Sequence, residues 1–290
     1  MAKRVGLRVP AVAAAFLVLL TAPGAAVAAG RPDVAALQVA LRGAGLYGGT
    51  VDGVAGPGTR AAVSRFQARN GLVADGVAGP ATRAALGRRG RPSLGSRAMG
   101  PGASGWDVAA LQFSLAWHGF PSGSIDGGYG SHARGAVRRF QAWAGLPADG
   151  VAGAATVRAL ARPIPRSPIW LIAPLRWRIG DVFGPRGNRF HTGVDYPARA
   201  GTTVGAAGRG RVVFAGWDGG GYGNLVVIEH PRGVRSMYAH LARIAIRQGS
   251  AVVAGNTVGS VGSTGISSGP HLHFELRLAG AAINPMSALR

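Results

Sequence analysis

The chain has 290 residues, of which 47% are hydrophobic, so it is long enough for two or three small domains with buried cores. It contains no cysteine, which excludes disulfide bonds and thiolate metal ligands. The formal net charge is +21, almost all of it from arginine. Because the arginines are scattered and not interleaved with aromatic residues, we predict no nucleic-acid partner. The charge fits attraction to another anionic polymer or a merely solvated surface.

Residues 1–29 are predicted to be a secretory signal peptide. Lys3, Arg4 and Arg8 form a basic segment, residues 9–20 are apolar, and residues 26–28 are typical of a cleavage site. The apolar run is short for a membrane span, and no later apolar run is long enough to span. We therefore expect a secreted protein, extracellular or associated with the cell wall, with no stable membrane insertion once the signal is removed.

Residues 33–86 and 107–160 form an internal repeat with a constant offset of 74 and no gaps. Apolar residues at Val34, Leu37 and Leu41 predict the first of three short helices in each copy. Asp33 and Asp107 are candidate N-caps of that helix, and Asp-Gly pairs mark turns before the other two. The matched aspartates are Asp33/Asp107, Asp52/Asp126 and Asp75/Asp149. We interpret each copy as a small independent domain.

Both copies resemble the three-helix peptidoglycan-binding domain, through the spacing of Leu-Gln, Asp-Gly, Phe-Gln-Ala and a final Asp-Gly-Val. The resemblance implies two wall-binding bundles, at residues 31–88 and 106–161. Trp117, His118 and Tyr129 occur in the second copy alone. We interpret them mainly as residues that fill or cover a local surface, with stacking on sugar as the alternative.

Two linkers are predicted, at residues 89–105 and at the proline-rich residues 162–168. The segment that follows, residues 169–290, contains β-branched runs separated by glycine, which predicts an antiparallel β domain. These runs are residues 211–215, 225–229 and 251–253. The predicted fold class is therefore multidomain α+β, with two small three-helix bundles followed by an antiparallel β-sheet domain.

Three histidine motifs lie in this last segment: an HxxxD pair at His191 and Asp195, an HxH pair at His271 and His273, and His240 between them. Alternate strand residues point to one face, so the two HxH imidazoles are expected side by side. A turn or strand end must bring the HxxxD pair together. Two imidazoles and a carboxylate suit zinc and leave a fourth position for water, as in catalytic sites. Spacing alone leaves open which HxH histidine binds metal.

Residues 184–277 resemble the LytM or lysostaphin type of zinc metallopeptidase, which cuts peptides in bacterial cell walls. The segments that carry this resemblance are residues 183–186, 191–195, 200–208, 222–230, 238–241, 262–265 and 268–275. None of the metal or catalytic positions of that family departs from its pattern here.

The resemblance implies that His191, Asp195 and His273 hold one zinc ion in the C-terminal domain. It also implies that His271 and His240 are catalytic. His271 shares a strand face with a ligand, so we expect it to act as the base. His240 is then expected to orient the water or to hydrogen-bond the developing oxyanion.

The predicted function is that of a monomeric, secreted zinc metalloendopeptidase that hydrolyses peptide cross-links of peptidoglycan through a zinc-activated water. One alternative is a non-catalytic wall-binding or regulatory protein of the same fold, although such proteins usually lack a metal residue. Another is a nucleic-acid or polyanion binder driven by charge. The sequence leaves open which peptide bond is cut and whether the repeats deliver or block the active site.

Overall fold

The computed structural model describes residues 29–290, so the predicted signal peptide lies, but for its last residue, outside the described residues. Within this range all α-helices precede all β-strands. The helices are α1 (Pro32–Gly43), α2 (Pro57–Arg69), α3 (Pro80–Ala85), α4 (Trp106–Trp117), α5 (Ser131–Trp143) and α6 (Ala154–Leu160). The predicted three helices per copy are confirmed. Among the helices of residues 29–290, none has both the length and the apolar character that a bilayer crossing requires.

The strands make up the C-terminal domain. They are β1 (Gly184–Arg186), β2 (Arg189–His191), β3 (Val194–Tyr196), β4 (Thr203–Gly205), β5 (Gly210–Asp218), β6 (Gly223–Glu229), β7 (Val234–Ala239), β8 (Leu241–Ile244), β9 (Ala251–Val252), β10 (Thr257–Val261), β11 (Leu272–Leu278) and β12 (Ala281–Ile283). All ladders between them are antiparallel. The predicted α+β fold class is confirmed.

Two sheets enclose the core of the C-terminal domain. The larger has the order β12–β11–β7–β6–β5–β9, with β3 pairing to β11 on the side that also carries β12. The smaller has the order β4–β10–β8. Leu272, Phe274 and Leu276 of β11 are 0% exposed and point into the shared core, as the alternation predicts. The opposite face of β11 therefore carries the polar residues.

The helices begin after glycine or arginine and not at the predicted aspartate caps. Helix α1 starts after Arg31 and holds Asp33 in its first turn, where the two side chains pair at 2.7 Å. Helix α4 starts after Gly105 and holds Asp107 in its first turn. The N-cap assignment was wrong by two positions, although both carboxylates still lie near the positive end of a helix dipole. Buried Asp107 is paired at 2.7 Å with Arg97 of the linker.

A buried glutamine joins each Asp-Gly turn to a helix. The amide of Gln141 donates to Oδ1 of Asp149 (2.8 Å) and to Oγ1 of Thr156 (3.2 Å), and its carbonyl oxygen accepts the N–H of Gly150 (2.9 Å). Equivalent glutamine–aspartate pairs are Gln38 with Asp52, Gln67 with Asp75 and Gln112 with Asp126. The aspartates of the four Asp-Gly turns therefore have a structural role.

The two repeats share a core. Helix α1 packs on α4, and Trp106, Ala109 and Ala110 of the second copy lie in the same apolar cluster as Leu37 and Leu41 of the first. Each copy therefore also packs against the other through an apolar interface. The sequence predicted the apolar face of α1 and of α4, but it did not show that part of each face packs on the other copy.

Replacing Gln141 with leucine should lower the free energy of unfolding by about 1–3 kcal/mol, because the N–H of Gly150 and other buried groups lose their partner. Urea denaturation followed by circular dichroism measures the change. Gln248 is exposed, so Gln248→Leu is the matched control and should change stability by less than about 0.5 kcal/mol. Equal effects of the two substitutions would contradict the structural role of Gln141.

Candidate metal centre

Strand pairing brings the two distant histidine motifs together. In the ladder of β3 with β11, Asp195 lies directly opposite His273. His191 ends β2, and the turn through Gly193 returns the chain to Asp195 in β3. A Cβ atom on Gly193 would lie 2.5 Å from the carbonyl oxygen of Phe274 and 2.9 Å from the ring of His273. A glycine is therefore required for this close approach.

Three donor atoms converge at this point. Nε2 of His191 lies 3.1 Å from Oδ1 of Asp195 and 3.1 Å from Nδ1 of His273. The remaining separation, from Nδ1 of His273 to Oδ1 of Asp195, is 2.8 Å. Ligands on a tetrahedral zinc ion are separated by about 3.3 Å, given metal–ligand bonds of about 2.0 Å. The three atoms can thus hold a small divalent cation with little rearrangement.

In His191 and His273, the hydrogen bond at the nitrogen that points away from Asp195 determines the tautomer of the neutral ring. Nδ1 of His191 lies 2.9 Å from the carbonyl oxygen of Val182, and Nε2 of His273 lies 3.0 Å from Oε1 of Glu275. Both partners are acceptors, so these nitrogens carry the hydrogen in the neutral rings. The lone pairs then remain on the two nitrogens that face Asp195. Such outer hydrogen bonds are typical of metal-bound histidines.

Glu275 is the centre of a buried network behind His273. Besides His273, its carboxylate accepts hydrogen bonds from Thr192, from the hydroxyl of Tyr222 (2.8 Å) and from Nε of Arg277 (3.1 Å). Burial raises the pKa of Glu275, but His273 and Arg277 outweigh burial and lower that pKa to about 2. Glu275 is therefore an anion that orients His273. Its position two residues after His273, on the same strand face, was the available signal, although the sequence did not show this role.

Arg186 holds the other carboxylate. Its guanidinium donates to Oδ2 of Asp195 at 2.9 Å and also pairs with Asp181. Burial raises the pKa of Asp195, but the neighbouring rings of His191 and His273 outweigh burial and hold that pKa well below the usual range. Oδ1 therefore remains an anionic donor atom. The contribution of Arg186 was not apparent from the sequence.

His240 and His271 lie beside the three donors, with ring centroids 4.8 Å apart. Nδ1 of His240 is 2.8 Å from the carbonyl oxygen of Thr264, and Nδ1 of His271 is 2.8 Å from that of Gly269. In the neutral form of either ring, Nε2 is therefore the nitrogen with the free lone pair. Burial lowers the pKa of His240, which keeps its ring neutral at pH 7. His240 also has a φ of 59°, a strained conformation of the kind found at functional sites.

These five residues line one groove with a volume of about 340 Å³. Its other walls include Gly220, Gly221 and Ile266, whose side chain is 83% exposed. The lining residues all lie between Arg186 and Glu275, so the helical repeats form none of its walls within the described part of the chain. The structure thus brings together every residue predicted for the site and leaves the groove open.

The histidines outside the site have other environments. His230 is buried and bonded to the carbonyl oxygen of Arg209 (2.8 Å) and to Oγ of Ser236 (2.7 Å). His118 lies within hydrogen-bonding distance of two backbone carbonyl oxygens. Both are structural residues.

The aromatic residues specific to the second repeat are also buried. Trp117 and Tyr129 are 5% and 3% exposed. Neither offers an open ring face to a sugar, which confirms the interpretation that they fill a local surface.

Comparison with known proteins assigns these regions to families. Residues 189–285 match peptidase family M23, and residues 30–86 and 104–160 match the peptidoglycan binding domain. The chain therefore contains a domain of peptidase family M23 at residues 189–285. It carries two copies of the peptidoglycan-binding domain in front of the peptidase domain.

Several individual proteins are similar to the peptidase region. The DD-carboxypeptidase/endopeptidase Mpg of Neisseria meningitidis is 47% identical over 123 residues, which cover 40% of this chain and 28% of that protein. The murein hydrolase activator NlpD of Escherichia coli is 38% identical, over 40% of this chain and 30% of that protein. The catalytic domain of lysostaphin from Staphylococcus simulans is 36% identical, with coverages of 38% and 90% and a TM-score of 0.36. The chain spans less than a third of the first two relatives.

Replacing Glu275 with glutamine should weaken zinc binding by about 10- to 100-fold, because the carboxylate that orients His273 is lost. Competition with a chromophoric chelator measures the affinity. The exposed Glu229, which pairs with Arg235, provides the control Glu229→Gln, and its affinity should equal that of the wild type. Unchanged affinity in Glu275→Gln would show that His273 needs no orienting partner.

Proposed function

We propose that this protein is a secreted zinc metalloendopeptidase that hydrolyses peptide bonds in peptidoglycan. The observation that carries the proposal is the convergence of three metal-binding atoms and two further imidazoles in one open groove. The two peptidoglycan-binding copies supply the substrate class. We propose domain limits of 31–88, 106–161 and 169–290, and a monomer that acts outside the cell or on its wall.

The proposed ligands of one zinc ion are Nε2 of His191, Oδ1 of Asp195 and Nδ1 of His273. When bound there, zinc supplies the Lewis acidity that polarises a peptide carbonyl and lowers the pKa of water. Glu275 and the carbonyl of Val182 keep the two imidazole rings oriented with their lone pairs toward that ion.

His271 is proposed as the general base. Its Nε2 lies 3.9 Å from Oδ1 of Asp195, so the free nitrogen faces the space beside the donor atoms. Nε2 can accept the proton of the attacking water and later transfer it to the leaving amine. The carbonyl of Gly269 holds the ring through Nδ1 in both steps.

His240 is proposed to orient the water. With its hydrogen on Nδ1, its Nε2 accepts a hydrogen bond and cannot donate one. An oxyanion requires a donor, so of the two roles predicted for His240 the orientation of water suits this tautomer.

A non-catalytic activator is the second candidate, because the murein hydrolase activator NlpD is among the similar proteins. An activator that acts by binding alone would need neither a base beside the donors nor an open groove. All five side chains and the open groove therefore favour the peptidase. Hydrolysis assays on the full chain separate the two functions.

The catalytic roles predict distinct behaviour of the two HxH variants. His273→Ala removes a ligand, so both zinc content and activity should be lost. His271→Ala should keep nearly one zinc per chain and lose about a hundredfold or more in rate, the usual scale for a general base. Metal content by mass spectrometry, with new amino termini released from purified peptidoglycan, measures both properties.

The exposed His132 provides the control for these variants, and His132→Ala should retain both zinc and activity. The buried His118 and His230 are unsuitable controls, because their loss would reduce stability. If His271→Ala loses zinc and His273→Ala keeps it, the ligand assignment within the HxH pair is reversed.

Zinc binding should release a proton at neutral pH. Burial lowers the pKa of His273, but Asp195 and Glu275 outweigh burial and raise that pKa to about 9 in the metal-free protein. The ring is thus protonated at pH 7 and must lose its proton to bind metal. We expect release of about one proton per zinc at pH 7, and almost none well above pH 9.

Isothermal titration calorimetry in buffers of different ionisation enthalpy measures this release. The apparent zinc affinity should rise by about tenfold per pH unit between pH 7 and 9. The substitution Glu275→Gln removes one of the groups that raise the pKa of His273. That pKa should therefore fall, and fewer protons should be released. A proton count of zero at pH 7 would show that His273 is already neutral.

A further inference from the structure

The β1–β2 hairpin carries part of the candidate metal centre but belongs to neither large sheet. Its two strands pair only with each other among the strands of residues 29–290. Arg186 and Arg189 flank a two-residue turn, and Gly187 at its first position has a φ of 60°, as a type II′ turn requires. An isolated two-stranded hairpin is marginally stable at best. Other parts of the chain must therefore hold it in place.

Both peptidoglycan-binding repeats bond to the tip of this hairpin. The N–H of Val51 in the first copy donates to the carbonyl oxygen of Gly187 at 2.7 Å. The N–H of Ile125 in the second copy donates to that of Asn188, also at 2.7 Å. Val51 and Ile125 are equivalent positions, since the repeat offset is 74, and both are buried. Equivalent backbone N–H groups of the two copies thus donate hydrogen bonds to neighbouring carbonyl oxygens of one turn.

An aromatic cluster fixes the base of the hairpin. Trp117 at the end of α4 packs edge-to-face on Phe190, with ring centroids 5.3 Å apart, and on Phe183 at 6.3 Å. Phe183 and Phe190 also contact each other at 5.0 Å. Close by, the N–H of Ala282 donates to the carbonyl oxygen of Gly119 at 3.2 Å. The repeats and the peptidase domain therefore share one apolar interface.

The two phenylalanines are chain neighbours of the groups that orient His191. Phe190 directly precedes His191, and Phe183 directly follows Val182, whose carbonyl accepts the Nδ1 hydrogen of that ring. A shift of either ring would therefore displace the imidazole or its acceptor. Because Trp117 contacts both phenylalanine rings, its packing affects the position of the His191 ring and of the Val182 carbonyl.

We infer that the paired repeats clamp the β1–β2 hairpin and thereby position the metal centre, with Trp117 as the positioning residue. This inference rests on the proposed function and adds a role to the repeats beyond wall attachment. Trp117 lies outside the groove and touches no donor atom. Its effect passes through Phe183 and Phe190 to His191, and through the hairpin to Arg186, which holds Asp195.

The test is zinc affinity in the full chain, measured by chelator competition. Trp117→Ala should weaken zinc binding by on the order of tenfold, the lower end of the range for groups behind a metal ligand. Hydrolysis of a short soluble peptide should fall at limiting zinc and recover with excess zinc. Trp117→Phe should restore most of the affinity, because it keeps the edge-to-face packing and removes an indole N–H that has no partner among the described residues.

Val137→Ala is the matched control for a general loss of stability. Val137 is 0% exposed in the core of the second repeat, in a different apolar cluster from Trp117. Its zinc affinity should equal that of the wild type. Circular dichroism of each variant establishes that the helices remain folded.

Hydrogen exchange of residues 184–191 in the metal-free protein supplies a readout that is independent of zinc. Exchange there should accelerate in Trp117→Ala and not in Val137→Ala. Wild-type affinity and unchanged exchange in a folded Trp117→Ala protein would overturn the inference. If the wild type itself binds no zinc, the proposed function fails, while the exchange data still decide whether the repeats hold the hairpin.

Discussion

The antiparallel pairing of β3 with β11 is the constraint on which the candidate site depends. It places Asp195 opposite His273, and the narrow turn at Gly193 brings His191 to the same point. Without this register the two motifs, about eighty residues apart, would have no common position. A shift of one residue would turn His273 and Glu275 into the apolar core and expose the leucines of β11, at a large cost in burial. The core thus enforces the geometry of the polar face.

The buried carboxylate of Glu275 and the partly buried carboxylate of Asp195 are compensated in the same way. Asp195 gives one oxygen to Arg186 and the other to the histidines, and Glu275 divides its oxygens between Arg277 and His273. An unpaired buried carboxylate would be strongly destabilising. Each arginine supplies compensating charge and leaves one oxygen with a fixed direction. Charge balance and ligand orientation therefore come from the same contacts.

Local patterns were sufficient to predict the helices of each copy, the alternation in β11 and the residues that meet in the groove. The patterns failed where distant partners decide the outcome. Asp33 was taken for a cap because its type favours caps, but Pro32 already starts the helix. Arg186 carries no signal by type or spacing, since its role depends on which strand lies beside it. The spacing of Glu275 from His273 placed the two on one strand face but did not show their contact. The packing of α1 on α4 could not be predicted, because an apolar helix face does not indicate which element covers it.

The contacts between the repeats and the β1–β2 hairpin have a consequence for the exchange of domains between proteins of this architecture. If the repeats and the peptidase domain were independent modules, residues 162–168 would be the natural point for joining a different peptidase domain. A chimaera cut there would leave Phe183 and Phe190 without their aromatic neighbour, and Trp117 exposed on the other fragment. The amides of Val51 and Ile125 would lose their acceptors as well. The transferable unit therefore includes both repeats together with the peptidase domain.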